Sequence, residues 1–249
     1  MAYETVYLYG RHALGEALKN NPTAVLRVFV VEGSEDNKLV DLIKKHNITL
    51  TKVKANTLPK GVDPEAVHQG YIAEVNLKSL IIEYNDFISS LKVTPDTALV
   101  LLDEIQDPHN VGAIIRSSAG FGIAGVLVPE HNQAQISGAV IKVSVGMAFR
   151  VPLVTIGNVN NTVRDLKDKG FWIYGLDEDA DHPLHQEVFD APAVFILGNE
   201  AKGIREKTKD LCDIRLAIEL NPQCESLNVA ASTAVTLYAW SNQHQSVLK

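Results

Sequence analysis

Three short stretches in the C-terminal half carry the residue types that could do chemistry. Residues 103–116 contain Asn110 and Arg116, residues 197–203 contain Glu200, and residues 218–230 contain Ser226 and Asn228. The set holds one permanent cation, one carboxylate and two amides, without a histidine, a cysteine or a metal cluster. It suits holding a phosphate-bearing substrate beside a small cofactor. It does not suit hydrolysis through a covalent intermediate, which needs an activated nucleophile with a base beside it. Each member alone has an ordinary reading: Asn110 and Asn228 as helix N-caps, Arg116 as a surface ion pair, Glu200 as the acid of an incoming helix's first turn. Only their joint pattern points to a site.

Such a set works only if the elements before it end at one place. The run Val194-Phe195-Ile196-Leu197 reads as a fully buried strand, stops at Gly198, and resumes at helical spacing through Ile204 and Leu211. Gly198 and Gly203 allow close backbone approach to a ligand or a positive φ. Residues 98–102, 125–129, 152–156, 171–176 and 213–218 read as further strands, and residues 112–120, 137–145, 161–169 and 228–244 as helices, the first of them capped by Asn110. Strands alternating with helices predict a mostly parallel sheet covered on both faces, whose strand-end loops gather at one edge. Residues 1–80 read as a separate small α/β unit, with strands at 6–9, 25–31, 48–53 and 70–75 and amphipathic helices at 11–19 and 39–46. Residues 81–96 read as a connection with one short helix, so the expected division is 1–80, 81–96 and 97–249.

Several motifs fail on their context. Gly120-Phe121-Gly122-Ile123-Ala124-Gly125 matches GxGxxG, but a helix runs in and a strand runs out, the reverse of a dinucleotide site. Gly198 to Gly203 has P-loop spacing, yet Ile204 and Arg205 stand where Lys and Ser/Thr are needed. Asp177, Asp179 and Asp181 begin like a calcium loop, but His182 and Val188 occupy the Gly and Glu positions, which leaves a solvated acidic loop. His182 and His185 alone are weak support for a metal, and none is expected.

The 249 residues carry a net charge of −7, which argues against a basic coat for nucleic acid. The deficit is uneven: up to residue 80 there are ten basic against nine acidic side chains, and from Thr97 onward twelve against eighteen. The N-terminal part is therefore the polyanion-facing half, with Arg11 and His12 at a helix start and Lys44, Lys45, Lys52 and Lys54 as a modest basic face. Two cysteines without a CxxC exclude a disulfide framework. The apolar runs are too short to span a bilayer, and the N-terminus lacks a leader pattern, so a cytoplasmic protein is expected.

Asp107-Pro108-His109-Asn110-Val111-Gly112-Ala113-Ile114-Ile115-Arg116-Ser117 resembles motif one of the SpoU/TrmH family of RNA ribose 2′-O-methyltransferases. Leu197-Gly198-Asn199-Glu200-Ala201-Lys202-Gly203 resembles motif two, and Ile218 with Ser226-Leu227-Asn228-Val229-Ala230 resembles motif three, in the family's order and spacing. Tyr9-Gly10-Arg11-His12-Ala13-Leu14 resembles the start of the family's N-terminal substrate-binding domain. The nearest likeness is to the bacterial subgroup that methylates a guanosine of large-subunit ribosomal RNA. The same chemistry on transfer RNA, or a non-catalytic RNA-binding or ribosome assembly factor, are the competing readings.

The resemblance implies a Rossmann-like parallel sheet with a deep C-terminal trefoil knot. Connection rules alone would predict an open doubly wound sheet. It implies S-adenosylmethionine held at Leu197, Gly198, Ile218, Leu227 and Asn228, largely through backbone. It implies catalytic roles for Asn110, Arg116, Glu200 and Asn228, and RNA contacts at Arg11 and His12. The family casts its motif-one arginine as the group that activates the 2′-hydroxyl, but a guanidinium is a poor base, and Arg116 is better read as a fork on RNA phosphate. Asn110 and Glu200 would orient Arg116 or the ribose, and Asn228 would cap the last helix. The family also implies a homodimer through the knotted domain, for which Val235, Leu237 and Trp240 on the last helix serve as well as they would serve a core. Two departures stand out: Ala230 where many relatives carry Ser, and Ser144-Val145-Gly146-Met147 in place of a small-residue run, read as a packing change.

Overall fold

The computed structural model describes residues 5–54, 57–62 and 67–249. Residues 1–4, 55–56 and 63–66 of the expected N-terminal domain lie outside the described residues. In chain order the strands are β1 (Thr5–Tyr9), β2 (Val25–Val31), β3 (Thr49–Val53), β4 (Tyr71–Asn76), β5 (Ile81–Glu83), β6 (Ala98–Asp103), β7 (Gly125–Pro129), β8 (Leu153–Ile156), β9 (Trp172–Leu176), β10 (His182–Pro183), β11 (Ala193–Gly198) and β12 (Ile214–Ala217). The helices are α1 (Arg11–Asn20), α2 (Asn37–Lys45), α3 (Tyr84–Ser90), α4 (Pro108–Gly120), α5 (Gly138–Val143), α6 (Val159–Asp168), α7 (Glu206–Lys209) and α8 (Val229–Gln243). Two compact units result. One is the chain up to Ile81 with Ile136–Arg150, and the other is Ile82–Gln135 with Val151–Lys249.

The first unit is built on a four-stranded sheet in the order β1-β4-β2-β3, antiparallel except for β2 and β3. Leu14 and Leu18 of α1, Ile43 of α2, and Val28, Val30, Ile72 and Val75 of the strands are fully buried and form its core. Segment 136–150 joins this unit because α5 packs against β1 and the turn after it packs against α1. Gly146 shows why glycine stands there: its φ is +81°, and a Cβ would sit 2.7 Å from the Ala13 Cα. Val145 before it also has a positive φ of 51° and is 42% exposed. Ser144 and Gly146 are buried, the Ser144 Oγ donating to the Ile141 carbonyl at 2.9 Å, while Val145 is exposed on a left-handed backbone.

The second unit is an eight-stranded sheet in the order β10-β12-β9-β11-β6-β7-β8-β5, and the seven strands from β10 to β8 pair in parallel. Every residue of β6, β7 and β11 is buried, as expected of strands covered on both faces. On one face Leu99, Leu101, Val194 and Ile196 meet Val159, Val163 and Leu166 of α6. On the other, Tyr174, Phe189 and Phe195 form an aromatic cluster with centroids 5.2–5.6 Å apart. Helix α8 runs beside α4. Leu237 and Trp240 are fully buried, which is the core reading of those two, while Val235 is exposed, at 41%, joined by Tyr238 at 61%. Physically, α8 spends Leu237 and Trp240 on its own core, with Trp240 stacked on His244 at 4.8 Å.

Three element expectations need correction. Asn110 is not the cap of α4: Asp107 is, its Oδ1 accepting the His109 N–H at 2.8 Å with Pro108 following, a preorganised helix start. The helix after motif two is the single turn α7, so Glu200 does not stand in its first turn. The connection 81–96 carries the short helix α3, and also an edge strand, β5.

Candidate functional site

The three stretches meet in the second unit at the C-terminal ends of β6, β11 and β12. At the end of β6, Asp103 is fully buried and accepts from Arg205, Nε to Oδ1 at 2.8 Å and the backbone N–H to Oδ2 at 3.2 Å. Between them the chain after β11 doubles back, with Asn199 and Gly203 exchanging backbone hydrogen bonds at 3.0 and 2.9 Å. A Cβ on Gly198 would lie 2.2 Å from the Gly203 carbonyl carbon, so only glycine allows the chain's own return here. Asn199 Nδ2 donates to the Glu104 carbonyl at 2.8 Å, and Glu104 holds a φ of +65°. The pair Asp103 and Arg205 is therefore the brace of this turn. Its one sequence signal was an acid at the end of an apolar strand.

Braced in this way, Glu200 points across to the start of α4. Its carboxylate accepts the backbone N–H of Gln106 at 3.3 Å and of Asp107 at 3.2 Å, and the Asn110 side-chain amide at 3.0 Å. Glu200 thus sits at the positive end of α4 instead of α7. Burial pushes its pKa up, but the Asn110 amide and the backbone donors outweigh that and hold it below the ordinary carboxylate range. Asn110 Oδ1 in turn accepts from Asn228 Nδ2 at 2.9 Å, and Asn228 Oδ1 caps α8 by accepting from Ala230 at 2.9 Å and Ala231 at 3.3 Å. One unbroken chain of hydrogen bonds therefore joins residues from all three motifs. Its donors and acceptors alternate, so each bond polarises the next.

Beside this chain lies a cleft of 360 Å³ lined by Leu197, Gly198, Glu200, Ile218 and Leu227, among others. The volume falls within the about 300–1,000 Å³ of small-molecule sites. Four of the five residues expected to touch a cofactor line it; the fifth, Asn228, is bonded to Asn110 and to the α8 backbone. Asp177, Glu178 and Asp179 also line the cleft; Asp179 and Asp181 are exposed, as a solvated loop requires, and Asp177 is not. The Asp177 side chain is nearly buried and pairs with Lys209 and Arg215, each at 3.1 Å. Burial raises its pKa, and these cations reverse the direction and lower it. Four carboxylates and two ammonium groups give the wall a net negative character.

Arg116 is exposed on α4, two turns along from the N-cap, and does not line the cleft. Neither Asn110 nor Glu200 bonds to it, and its guanidinium has no ion pair or hydrogen bond among the described residues. In the first unit Arg11 is committed internally: Nε donates to the Gln69 carbonyl at 3.3 Å and Nη2 to the Ser34 carbonyl at 3.1 Å. His12, by contrast, is exposed at the start of α1. Lys52 of the expected basic face pairs with Glu35 at 2.8 Å. Among the described residues no cluster fit to hold a metal occurs; His182 pairs with Glu187 at 2.7 Å and His185 with Glu219 at 3.1 Å. Among them, too, no helix is long and apolar enough to cross a membrane.

The chain is similar to known proteins over nearly its whole length. Residues 97–238 match the SpoU rRNA Methylase family, and residues 7–80 match the family described as RNA 2′-O ribose methyltransferase substrate binding. The 23S rRNA (guanosine-2′-O-)-methyltransferase RlmB of Shewanella oneidensis is 33% identical over 96% of this chain and 98% of its own. The protein of the same description from Haemophilus influenzae is 34% identical over 93% and 95%. Among solved structures, the SpoU methyltransferase AviRb from Streptomyces viridochromogenes in complex with AdoMet superposes with a TM-score of 0.80 at 20% identity, covering 97% of this chain and 91% of that one. The chain is a member of the SpoU rRNA methylase family.

Proposed function

We propose that this chain transfers a methyl group from S-adenosylmethionine to the ribose 2′-hydroxyl of a guanosine in 23S ribosomal RNA, acting in the cytoplasm. The observation that carries the reading is the hydrogen-bonded chain Glu200–Asn110–Asn228, which fastens three motifs around the cleft. The cleft suits the cofactor: Leu197, Ile218 and Leu227 offer apolar wall to an adenine, and the acidic excess suits a sulfonium cation. When bound, S-adenosylmethionine supplies an electrophilic methyl carbon. Leu197, Gly198, Ile218 and Leu227 hold it, and Asn228 keeps the loop carrying Leu227 in place through its bonds to Asn110 and α8.

The work left to the protein is alignment, worth about 7–11 kcal/mol when two reactants are held in line. Glu200 and Asn110 are positioning residues for the two loops. Arg116, with its guanidinium uncommitted, serves as a fork on the RNA phosphate and stabilises the oxyanion that develops as the 2′-hydroxyl loses its proton. Residues 1–80 are the RNA-binding domain, 81–96 the connection and 97–249 the catalytic domain. The C-terminal part forms a trefoil knot and a homodimer. In support of the knot, β11 lies between β9 and β6, and the chain beyond β12 returns to Asn110. In support of the dimer, Val235 and Tyr238 leave apolar surface on α8.

Calorimetry with S-adenosylmethionine and mapping of ribose methyls on 23S RNA from a deletion strain test the reading. Arg116→Ala is expected to lower methyl transfer by about 10²–10³-fold, the usual loss for one oxyanion-stabilising group, with cofactor affinity unchanged. Near-normal turnover by that variant would overturn the role of Arg116. Absence of cofactor binding by the wild type, or its binding without methyl transfer, would leave a non-catalytic RNA-binding protein.

A further inference from the structure

The cleft of the second unit carries charges that the chain itself does not use. Of the four carboxylates on its wall, two are committed. Asp177 pairs with Lys209 and Arg215, each at 3.1 Å, and Glu200 accepts from Gln106, Asp107 and Asn110. Of the two ammonium groups on the wall, Lys209 is the one held by Asp177. Among the described residues, the side chains of Glu178, Asp179 and Lys202 make no ion pair and no hydrogen bond, and all three residues are exposed. Two negative charges and one positive charge are therefore left open to a ligand. The positive one is not carried on a loose segment. Lys202 belongs to the turn closed by Asn199 and Gly203, and its backbone N–H donates to Asn199 Oδ1 at 3.2 Å, as does that of Ala201 at 3.0 Å. With the backbone fixed, only side-chain rotamers remain to be ordered on binding.

We propose that Lys202 pairs with the α-carboxylate of S-adenosylmethionine. The proposal rests on the cofactor reading above and deepens it by naming the residue that meets the amino-acid end. The charges match one for one. The cofactor carries a sulfonium, an α-ammonium and a carboxylate, and the wall leaves open two carboxylates and one ammonium. A carboxylate entering a wall dominated by acids is repelled unless a cation meets it. Lys209 is not available for this, since Asp177 holds its ammonium and its side chain is only 18% exposed. Lys202 is thus the one uncommitted cation on the wall among the described residues. An RNA phosphate is the other anion within the chemistry of an exposed lysine. The same wall disfavours it, because a phosphodiester chain brings negative charge and no cation to balance Glu178 and Asp179.

The test is calorimetry on the full chain with S-adenosylmethionine and with its decarboxylated analogue, which keeps both cations and lacks the carboxylate. Lys202→Met is expected to weaken S-adenosylmethionine binding about fivefold, the upper end for an ion pair in contact with solvent. It should leave the affinity for the decarboxylated analogue unchanged, so that variant and analogue form a cycle isolating the one contact. Lys202→Arg, which keeps the charge, should bind S-adenosylmethionine as the wild type does, and the fivefold difference should shrink as salt rises. Equal weakening of both compounds by Lys202→Met would mean that the substitution disturbs the turn, and would overturn the pairing. Unchanged affinity for S-adenosylmethionine would overturn it as well; a raised KM for RNA in that variant would then assign Lys202 to an RNA phosphate. A wild type that binds neither compound defeats the cofactor reading beneath the proposal instead.

Discussion

The two units use polar groups in opposite ways. In the second, Glu200, Asn110 and Asn228 spend their hydrogen-bonding capacity on one another and on the backbone, so side chains tie α4 to segments 90 and 118 positions on. In the first, His12 stays exposed, and the backbone is held at positive φ at Gly10, Gln69, Val145 and Gly146. A site that must align a reaction needs interlocked directional bonds, because small displacements are costly. The same contrast appears within α4, where Asn110 is tied on two sides and Arg116 on none.

The largest effect expected on this contrast comes from Asn110→Ala. It leaves the Glu200 carboxylate one donor short and the Asn228 amide without an acceptor. Glu200 and Asn228 are exposed and can turn to water, so the loss is the net worth of two hydrogen bonds, about 1–3 kcal/mol of stability. Turnover should fall more steeply than cofactor affinity, because the loop carrying Leu227 loses its tie to α4. Urea denaturation and single-turnover kinetics read the two effects. A variant with unchanged midpoint and unchanged rate would mean that the hydrogen-bonded chain does not organise the site.

How much of this was legible in the sequence depends on whether a property is local. The strands of the second unit were legible, because β6, β7 and β11 are continuous apolar runs that can only be buried. Gly170 closing α6 at φ +88° was legible for the same local reason. The membership of Asn110, Glu200 and Asn228 in one site was legible from motif order, but their bonds to one another were not, since they join residues 90 and 118 positions apart. Glu200 was assigned to the wrong helix end because sequence proximity favoured α7, whereas the turn at Asn199–Gly203 aims it at α4. Asp177 looked solvated because its partners, Lys209 and Arg215, lie more than thirty residues on. The positive φ at Val145 was not legible, since nothing in a residue's type announces a left-handed backbone.

The first unit offers the next test. Gly146→Ala should destabilise it by about 1–2 kcal/mol, the cost of a left-handed conformation for an L side chain, with a further contribution from the new Cβ lying 2.7 Å from the Ala13 Cα. Gly157→Ala is the control: its φ is not positive and a Cβ there meets nothing within 4 Å, so its effect should be small. Thermal denaturation of the two variants compares them, while S-adenosylmethionine affinity should be unchanged in both, because Gly146 lies in the first unit and Gly157, in the second, does not line the cleft. Equal melting temperatures for the two variants would show that the backbone frame of the first unit tolerates relaxation.

The smallest expected effect, and the sharpest in sign, is that of pH on Glu200→Gln. The folded chain holds the Glu200 pKa below its ordinary value, so the ionised carboxylate is bound more tightly folded than unfolded. Its contribution is therefore fully present above the unfolded value of about 4.3 and is lost as pH falls through the lower folded value. At neutral pH the substitution exchanges charge-assisted bonds for neutral ones, a difference of about 1 kcal/mol, and solvent access to the carboxylate reduces it further. The gap in urea midpoint between wild type and Glu200→Gln should thus be constant from pH 7 to about 5 and close below about 4, around the ordinary glutamate value. A gap that widened on acidification would mean that protonated Glu200 is the bound form. The carboxylate could not then be what the N–H groups of Gln106 and Asp107 and the Asn110 amide hold at the start of α4.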